Sequence, residues 1–203
     1  MGADRLVWVD CEMTGLDLTR DALIEIAVLV TDFELTVLGD GVDLVVTPPD
    51  GAVTTMPDRV RRMHTESGLL ERLQHGTTLD DATEQVLAYV REHVPDLGKA
   101  PLAGNSVHVD RAFLARDMPA FENALHYRNV DVSTVKELAR RWYPRTYYAS
   151  PEKTGNHRAL GDIQDSIREL RYYRRAVFVD EPGLDTKSAR AVAAAVADDL
   201  VQS

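Results

Sequence analysis

An apolar stretch near the start of the chain carries two acidic residues, and it restricts the fold more than any other feature. Residues 6–15 read Leu-Val-Trp-Val-Asp-Cys-Glu-Met-Thr-Gly, which is typical of a buried strand that ends in a turn. A strand would project Asp10 and Glu12 to one side, and Val9 and Cys11 to the other. Two carboxylates held together repel, and a shared proton or a bound divalent cation relieves the repulsion. An isolated Asp-x-Glu could also be a strand that runs into an acidic turn.

The length of 203 residues suits one domain with a full core and an appendage. We assign residues 1–179 to the domain. Residues 180–203 are alanine-rich and predict a surface helix or a partly disordered tail. No apolar run approaches the ~20 residues that span a bilayer, and no charged-then-apolar leader opens the chain, so we expect no membrane association and a cytoplasmic protein. The single cysteine, Cys11, cannot form an internal disulfide, and we interpret it as a core residue.

The chain is acidic, with a formal net charge of −10. Sequence-independent binding of long nucleic acid needs a row of Lys and Arg to neutralise phosphates, so the charge argues against it. It does not exclude a small phosphate ligand held by a few local cations. A nucleic-acid substrate should therefore be short or gripped at one end.

The order of strand and helix patterns predicts an α/β fold, with a mixed sheet covered by helices. Strands are predicted at 6–15, 23–31, 35–46 (with a break at 39–41), 101–104 and 127–132. Helices are predicted up to His64, at 67–74, at 79–94, around Asp110, at 133–143 with Ser133 as the cap, and at 158–177. The first three strands should form an antiparallel meander.

Further acids recur where such a sheet could bring them together. Asp110 follows the fourth strand, and Asp162 comes five residues after His157. Helical residues five apart are separated by roughly 140°, so His157 and Asp162 would not share a helix face. We therefore expect His157 in the loop before the helix, where a mobile imidazole suits a general base near neutral pH.

Asp10, Glu12, Asp110 and Asp162 offer four carboxylates and no thiolate. Such a donor set suits Mg²⁺ or Mn²⁺ rather than structural zinc. Two such ions about 4 Å apart can activate a water and stabilise the departing oxygen of a phosphodiester.

These acidic residues and the histidine resemble, in order and local spacing, the signature of the DEDDh exonucleases, a family of the ribonuclease H-like superfamily. Six longer strings resemble the branch of that family that acts on very short RNA, and the resemblance covers about residues 5–178. The strings are Val9-Asp-Cys-Glu-Met-Thr-Gly-Leu16, Ile24-Glu-Ile-Ala27, His64-Thr-Glu-Ser-Gly-Leu69, Gly104-Asn-Ser106, His126-Tyr-Arg-Asn-Val-Asp-Val-Ser-Thr134 and Lys136-Glu-Leu-Ala-Arg-Arg-Trp142.

The resemblance implies a ribonuclease H-like fold with a mixed five-stranded sheet flanked by helices, and a homodimer. It implies 3′-to-5′ removal of mononucleotides from RNA of two to five residues, especially dinucleotides, by two-metal hydrolysis. Asp10, Glu12 and Asp162 would hold the first metal with the attacking water, and Asp10 would bridge to the second. Asp110 would complete the acidic set, partly through water, and His157 would take the proton of the water.

The resemblance also implies two substrate contacts on the base side. Leu16 would wedge against the bases, with His64 in the same pocket, although both could instead serve only packing. Where some relatives carry a tryptophan before His64, residues 56–63 have none, so a stacking contact worth roughly 1–3 kcal/mol is absent unless Arg59 or a neighbour replaces it. Gly161 stands where several relatives have a bulkier residue.

A cap on the 5′ phosphate of the substrate is implied as well. Ser106, Arg128 and Ser133 would form it, joined by Tyr127 of the partner subunit. An arginine and two hydroxyls give charge-assisted hydrogen bonds to a terminal phosphate, and a closed pocket leaves no path for further nucleotides. The alternatives are a surface arginine and a simple helix cap.

Two other functions remain open from the sequence. A general DEDDh exonuclease on longer RNA or DNA would need an open channel and a basic track, which the acidic composition disfavours. A binding module for RNA ends would normally have lost an acid or the histidine, and all five are present. Asp131 and Asp165 are left out of the site, as a strand-end residue and a helix surface charge. Aromatic side chains that could form an interface are Trp142, Tyr143, Tyr147 and Tyr148.

Overall fold

The computed structural model describes residues 4–152 and 158–201, which form one five-stranded sheet with helices on both faces. The strands are β1 (Arg5–Met13), β2 (Leu23–Asp32), β3 (Val37–Val45), β4 (Pro101–Gly104) and β5 (His126–Asp131). The helices are α1 (Asp58–Glu66), α2 (Leu69–Arg72), α3 (Leu79–His93), α4 (His108–Asp117), α5 (Pro119–Glu122), α6 (Val132–Trp142), α7 (Pro144–Tyr148), α8 (Ala159–Ala176) and α9 (Thr186–Val201), with a 3₁₀ turn at Leu73–His75.

The sheet is mixed, with the strand order β3-β2-β1-β4-β5. β1, β2 and β3 pair antiparallel, whereas β4 runs parallel to β1 on its other side and β5 runs parallel to β4. The carboxyl ends of β1, β4 and β5 therefore lie along one edge. Ligands in such sheets bind outside these carboxyl ends, where the strand order reverses, and here that point lies between β1 and β4.

The two faces of β1 contribute to separate cores, as the period of two residues in a strand requires. Val7 and Val9 pack into the cluster on the α3 and α4 side. Leu6 and Trp8 pack into the cluster that includes α8, and Trp8 Nε1 donates a hydrogen bond of 2.9 Å to Thr31 Oγ1. Both faces are buried because β1 is the middle strand.

β4 approaches β1 closely enough that glycine is required at its end. A Cβ on Gly104 would lie 2.8 Å from the carbonyl oxygen of Val9, a contact that the backbone could relieve only by moving. The short apolar run of β4 is thus held against the middle strand, and the residues that follow it begin beside the end of β1.

The structure confirms the predicted α/β class, the antiparallel meander and the positions of the long helices. The predicted helix at 79–94 is α3, and the one at 158–177 is α8. Residues 147–156, which contain Pro, Gly and Ser, are predicted as a loop. That segment begins inside a short helix, α7, and residues 153–156 lie outside the described residues.

Two expectations were wrong, one about a helix cap and one about an acidic residue. The cap of α6 is Asp131 rather than Ser133, because β5 ends at Asp131 and its carboxylate accepts a hydrogen bond from Ser133 N. Asp165 is not a surface charge. Its side chain is buried on α8 and forms an ion pair of 2.6 Å with Arg168, one turn further along.

The last helix, α9, is a surface helix. Its described side chains are largely exposed, including Val192 and Val196. Across residues 4–152 and 158–201, no helix combines the length and the apolarity that crossing a bilayer requires.

Candidate active site

Three carboxylates meet at the carboxyl end of β1. Asp10 and Glu12 come from the strand, and Asp162 comes from the first turn of α8. One oxygen of each side chain can be chosen so that all three atoms lie within 4.8 Å of one another. The spacing of two residues along β1 brings Asp10 and Glu12 to the same side of the strand, as the sequence predicted, and that side faces α8.

The electrostatics of this group centre on Glu12. Burial, followed by the negative charges of Glu25, Asp162 and Asp110, raises the pKa of Glu12 to about 8. A carboxyl group in this position holds its proton at neutral pH unless a cation takes the place of the proton. The three carboxylates supply hard oxygen donors, which Mg²⁺ and Mn²⁺ prefer, and these oxygens lie close enough together to bind one ion. The donor set therefore fits a divalent metal ion.

Asp110 lies beside this group and is not part of it. Its Oδ1 accepts a hydrogen bond of 2.9 Å from the backbone N–H of Cys11, which ties the first turn of α4 to β1. Burial raises the pKa of Asp110 to about 7, against the lowering effect of this hydrogen bond. Cys11 is buried, and burial raises the pKa of its thiol, so it is a core residue as predicted.

A further carboxylate, Glu25, lies directly opposite Glu12 in the pairing of β1 with β2. Its side chain is completely buried, and Oε1 accepts a hydrogen bond of 2.8 Å from Arg72. The Nε of Arg158, just before α8, lies 3.5 Å from the same oxygen, and Ala159 N donates to Oε2 at 3.4 Å. Glu25 therefore joins β2, α2 and the start of the helix that carries Asp162.

The base-side residues differ in exposure. Leu16 lies in the turn after β1 with 73% of its surface exposed, as a residue that contacts a substrate base would need. His64 is only 1% exposed, its Nε2 lies 2.9 Å from the carbonyl oxygen of Met13, and its Nδ1 lies 3.9 Å from Glu12 Oε2. Burial lowers the pKa of His64. His64 therefore packs against the end of β1, and its ring is not exposed beside Leu16.

Three polar residues converge after β4 and β5. Gly104 and Asp131 are paired residues at the ends of these strands, so Ser106 and Ser133, two residues further on, are neighbours. Ser106 N donates to Asp131 Oδ1 at 2.9 Å, and Ser133 Oγ donates to the same oxygen at 2.5 Å. Ser106 has a φ of 54°, a left-handed conformation that this carboxylate stabilises.

The other two predicted cap residues lie on β5, the edge strand. Tyr127 is 74% exposed, and Arg128 is exposed with its guanidinium carbon 5.5 Å from the centroid of the Tyr127 ring. The structure therefore brings Ser106 and Ser133 together and leaves Tyr127 and Arg128 accessible along the same strand. His157 lies outside the described residues.

Sequence reasoning passed over two residues that organise the site. Asp131 was set aside as a strand-end residue, although an aspartate just before a helix is a preferred cap and could have been found that way. Glu25 was named only as part of the segment Ile24-Glu-Ile-Ala27, without a role of its own. Its signal was a single charge within the apolar run from Leu23 to Val30, which predicts a buried charge with partners elsewhere.

The fold and the acidic group are those of a nuclease, and the sequence comparison agrees. The sequence model of the exonuclease family matches residues 7–170, and the chain belongs to that family. Within it, the chain belongs to the oligoribonucleases. Oligoribonuclease of Streptomyces avermitilis is 70% identical over 191 residues, covering 94% of this chain and 96% of that protein. Oligoribonuclease of Rhodococcus jostii is 60% identical over 93% of this chain and 96% of its own length.

Solved structures share the fold at low sequence identity. Exonuclease I of Methylocaldum szegediense superposes with a TM-score of 0.60 at 19% identity, covering 86% of this chain. The metal-free form of an Escherichia coli exonuclease I complex with single-stranded DNA gives a TM-score of 0.61 at 15% identity. The chain spans 41% and 40% of those two proteins, and at these identities the likeness shows the fold alone.

Proposed function

We propose that this chain is a metal-dependent 3′–5′ exoribonuclease that hydrolyses very short oligoribonucleotides, especially dinucleotides, to mononucleotides. The observation that carries the proposal is the group formed by Asp10, Glu12 and Asp162 at the carboxyl end of β1, in a chain 70% identical to an oligoribonuclease. We assign the activity to residues 1–179 and treat 180–203 as an appended helical segment.

The acidic residues would hold two divalent ions, Mg²⁺ or Mn²⁺. Asp10, Glu12 and Asp162 would bind the first ion, Asp10 would also reach the second, and Asp110 would complete the set partly through water. When bound, such ions supply a Lewis acid that lowers the pKa of a water and stabilises the departing oxygen. His157 is proposed as the general base that takes the proton of the attacking water.

The substrate would be held at both ends. Leu16 would contact the bases, and His64 would support the turn that carries it. Ser106, Arg128 and Ser133 would bind the 5′ phosphate, with Tyr127 of the partner subunit, in a homodimer. Asp131 strengthens this part of the proposal because it holds Ser106 and Ser133 side by side. An acidic protein can act on RNA in this way, since only one terminal phosphate needs a cation.

The acidic composition argues against a long basic track. The formal net charge is −10, and a general exonuclease on long nucleic acid would need cations along the path of the strand. We therefore propose short RNA as the substrate and long nucleic acid as a poor one, and we place the protein in the cytoplasm.

The test is a time course with 5′-phosphorylated RNAs of two, three, seven and twenty nucleotides in Mg²⁺, with a chelator control. We expect fast cleavage of the dinucleotide, falling rates with length, and no cleavage with chelator. Asp162→Asn, which keeps the size of the side chain and removes its charge, should abolish turnover and leave the fold intact. Equal or faster cleavage of the longest RNA would replace this proposal with a general exonuclease, and full activity of Asp162→Asn would refute the site.

A further inference from the structure

A chain of hydrogen bonds runs from the turn that carries Ser106 to the helix that carries Asp162. Asn105, the residue before Ser106, donates from Nδ2 to Ser166 Oγ at 2.7 Å. Ser166 Oγ in turn donates to the backbone carbonyl oxygen of Asp162 at 2.8 Å. Ser166 is buried, and Asn105 is partly buried, so water competes little for either bond.

The same face of α8 adds an ionic contact to this chain. Residues 162, 166 and 169 recur at steps of four and three, so their side chains align along one side of the helix. Glu169 is buried, Asn105 Nδ2 lies 3.4 Å from its Oε2, and Lys136 Nζ on α6 lies 3.0 Å from its Oε1. The helix of the metal-binding acid is therefore joined both to the Asn105 turn and to α6.

The opposite side of the Ser106 turn is held by α6 as well. Asp131, the cap of α6, accepts from Ser106 N, while Lys136 on the second turn of α6 returns to Glu169. The contacts thus close a ring through the turn, α6 and α8. A turn braced from both sides keeps a constant distance to Asp162.

We propose that Asn105 is a positioning residue that sets the length preference of the enzyme, by fixing the distance between the 5′-phosphate cap and the metal-binding acids. This inference rests on the function proposed above. In a dinucleotide with a 5′ phosphate, that phosphate and the scissile phosphate are one nucleoside apart. A rigid separation between the cap and the acids selects RNA of that length, and a looser one removes the selection.

The proposal is tested with Asn105→Ala and Ser166→Ala, alone and together, on 5′-phosphorylated RNAs of two and seven nucleotides. We expect kcat for the dinucleotide to fall about tenfold or more with a smaller change in KM, because misplacement of a bound substrate slows the chemical step. The ratio of kcat/KM for two nucleotides to that for seven should fall about tenfold. The double variant should match the single ones, since both remove the same bridge.

Tyr172→Phe is the matched control. It removes another hydrogen bond of α8, from Tyr172 Oη to the carbonyl oxygen of Thr146 at 2.8 Å, which does not lead to the Ser106 turn. Circular dichroism and thermal unfolding check that each variant is folded. If Asn105→Ala does not fold, Ser166→Ala, which deletes one oxygen, tests the same bridge.

The outcomes separate this inference from the proposed function. A folded bridge variant with an unchanged length ratio would overturn the role of Asn105, as would an equal fall of the ratio in Tyr172→Phe. A wild-type protein that does not prefer the dinucleotide would overturn the proposed function, and the inference with it.

Discussion

Glu12 on β1 and Glu25 on β2 are directly opposed residues of an antiparallel strand pair, and both side chains are shielded from water. The charge of Glu25 helps to raise the pKa of Glu12 to about 8, after burial as the larger cause. Glu25 keeps its place because Arg72 and the start of α8 bind it. The residue that binds the start of the Asp162 helix therefore also disfavours the ionised form of Glu12, one of the acids proposed to bind a metal ion.

The first prediction concerns Glu25→Gln, which removes that charge and keeps an oxygen acceptor for Arg72. The pKa of Glu12 should fall, and Mn²⁺ should bind more weakly at pH 7 in a calorimetric titration, because the negative charge that is removed attracts a divalent cation more strongly than it attracts a single proton. The free energy of unfolding should fall by about 1–3 kcal/mol, because Arg72 loses a charged partner. Glu34→Gln, which changes an exposed Glu–Arg174 pair, is the control and should change neither. Unchanged or tighter Mn²⁺ binding by Glu25→Gln would contradict the prediction.

The second prediction is a pH dependence of stability in the metal-free protein. The pKa of Glu12 is raised to about 8 and that of Asp110 to about 7, so the folded state binds protons that the unfolded state has released. The free energy of unfolding should therefore be greatest near pH 5 and fall as the pH rises towards 8. Saturating Mg²⁺ should reduce this fall, because the bound cation offsets the ionised carboxylates.

Urea unfolding between pH 5 and 8, with chelator or with Mg²⁺, measures this dependence. Glu12→Gln supplies the comparison, since it cannot ionise and should show a shallower fall in stability with pH. Metal-free stability that rises over this range would show that the two carboxyl groups do not hold protons in the folded state. An identical slope in Glu12→Gln would show the same for Glu12.

The third prediction tests Asp131 as the residue that assembles the phosphate cap. Asp131→Ala should lower stability by about 1–2 kcal/mol through loss of a helix cap, and should raise KM for 5′-phosphorylated dinucleotides. Asp131→Asn keeps an acceptor oxygen, so its stability and its KM should stay close to those of the wild-type protein. Thr78→Ala removes the cap of α3, with a similar cost in stability, and should leave KM unchanged. If Thr78→Ala raises KM equally, the effect of Asp131 is on stability alone.

The fourth prediction concerns Arg128, which is exposed on the edge strand. Arg128→Ala should change stability by less than about 0.5 kcal/mol, as is usual for a surface substitution. It should lower kcat/KM for dinucleotides with a 5′ phosphate about tenfold, because a charge-assisted hydrogen bond is lost. The value of kcat/KM for 5′-hydroxyl dinucleotides should fall much less. Arg91→Ala, at an exposed site on α3, is the control. Equal losses on both substrates would mean that Arg128 does not bind the terminal phosphate.

Local patterns predicted the elements that place the acids. The alternation along β1 put Asp10 and Glu12 on one side, and apolar steps of three and four residues located α8 with Asp162 near its start. Both predictions succeed because they depend on geometry within one element. The order of strands and helices was enough to predict a mixed sheet.

Contacts between distant parts of the chain could not be read in this way. Asp131 and Ser133 are both good cap residues, and the end of β5 decides between them. The burial of Asp165 depends on how α8 packs, which its own sequence does not show. The partners of Glu25 lie 47 and more positions away, so their identity required the folded structure.

The placement of the site across the sheet separates two kinds of change. Asp10 and Glu12 lie on the middle strand, so a substitution near them disturbs the core, and the hydrolytic chemistry should be the slowest part of the protein to diverge. Tyr127 and Arg128 lie on the edge strand, where side chains can be exchanged at little cost to the fold. Changes along β5 could thus alter how the end of a substrate is bound while the acidic group stays the same, so diversification of function in this architecture should begin at its edge.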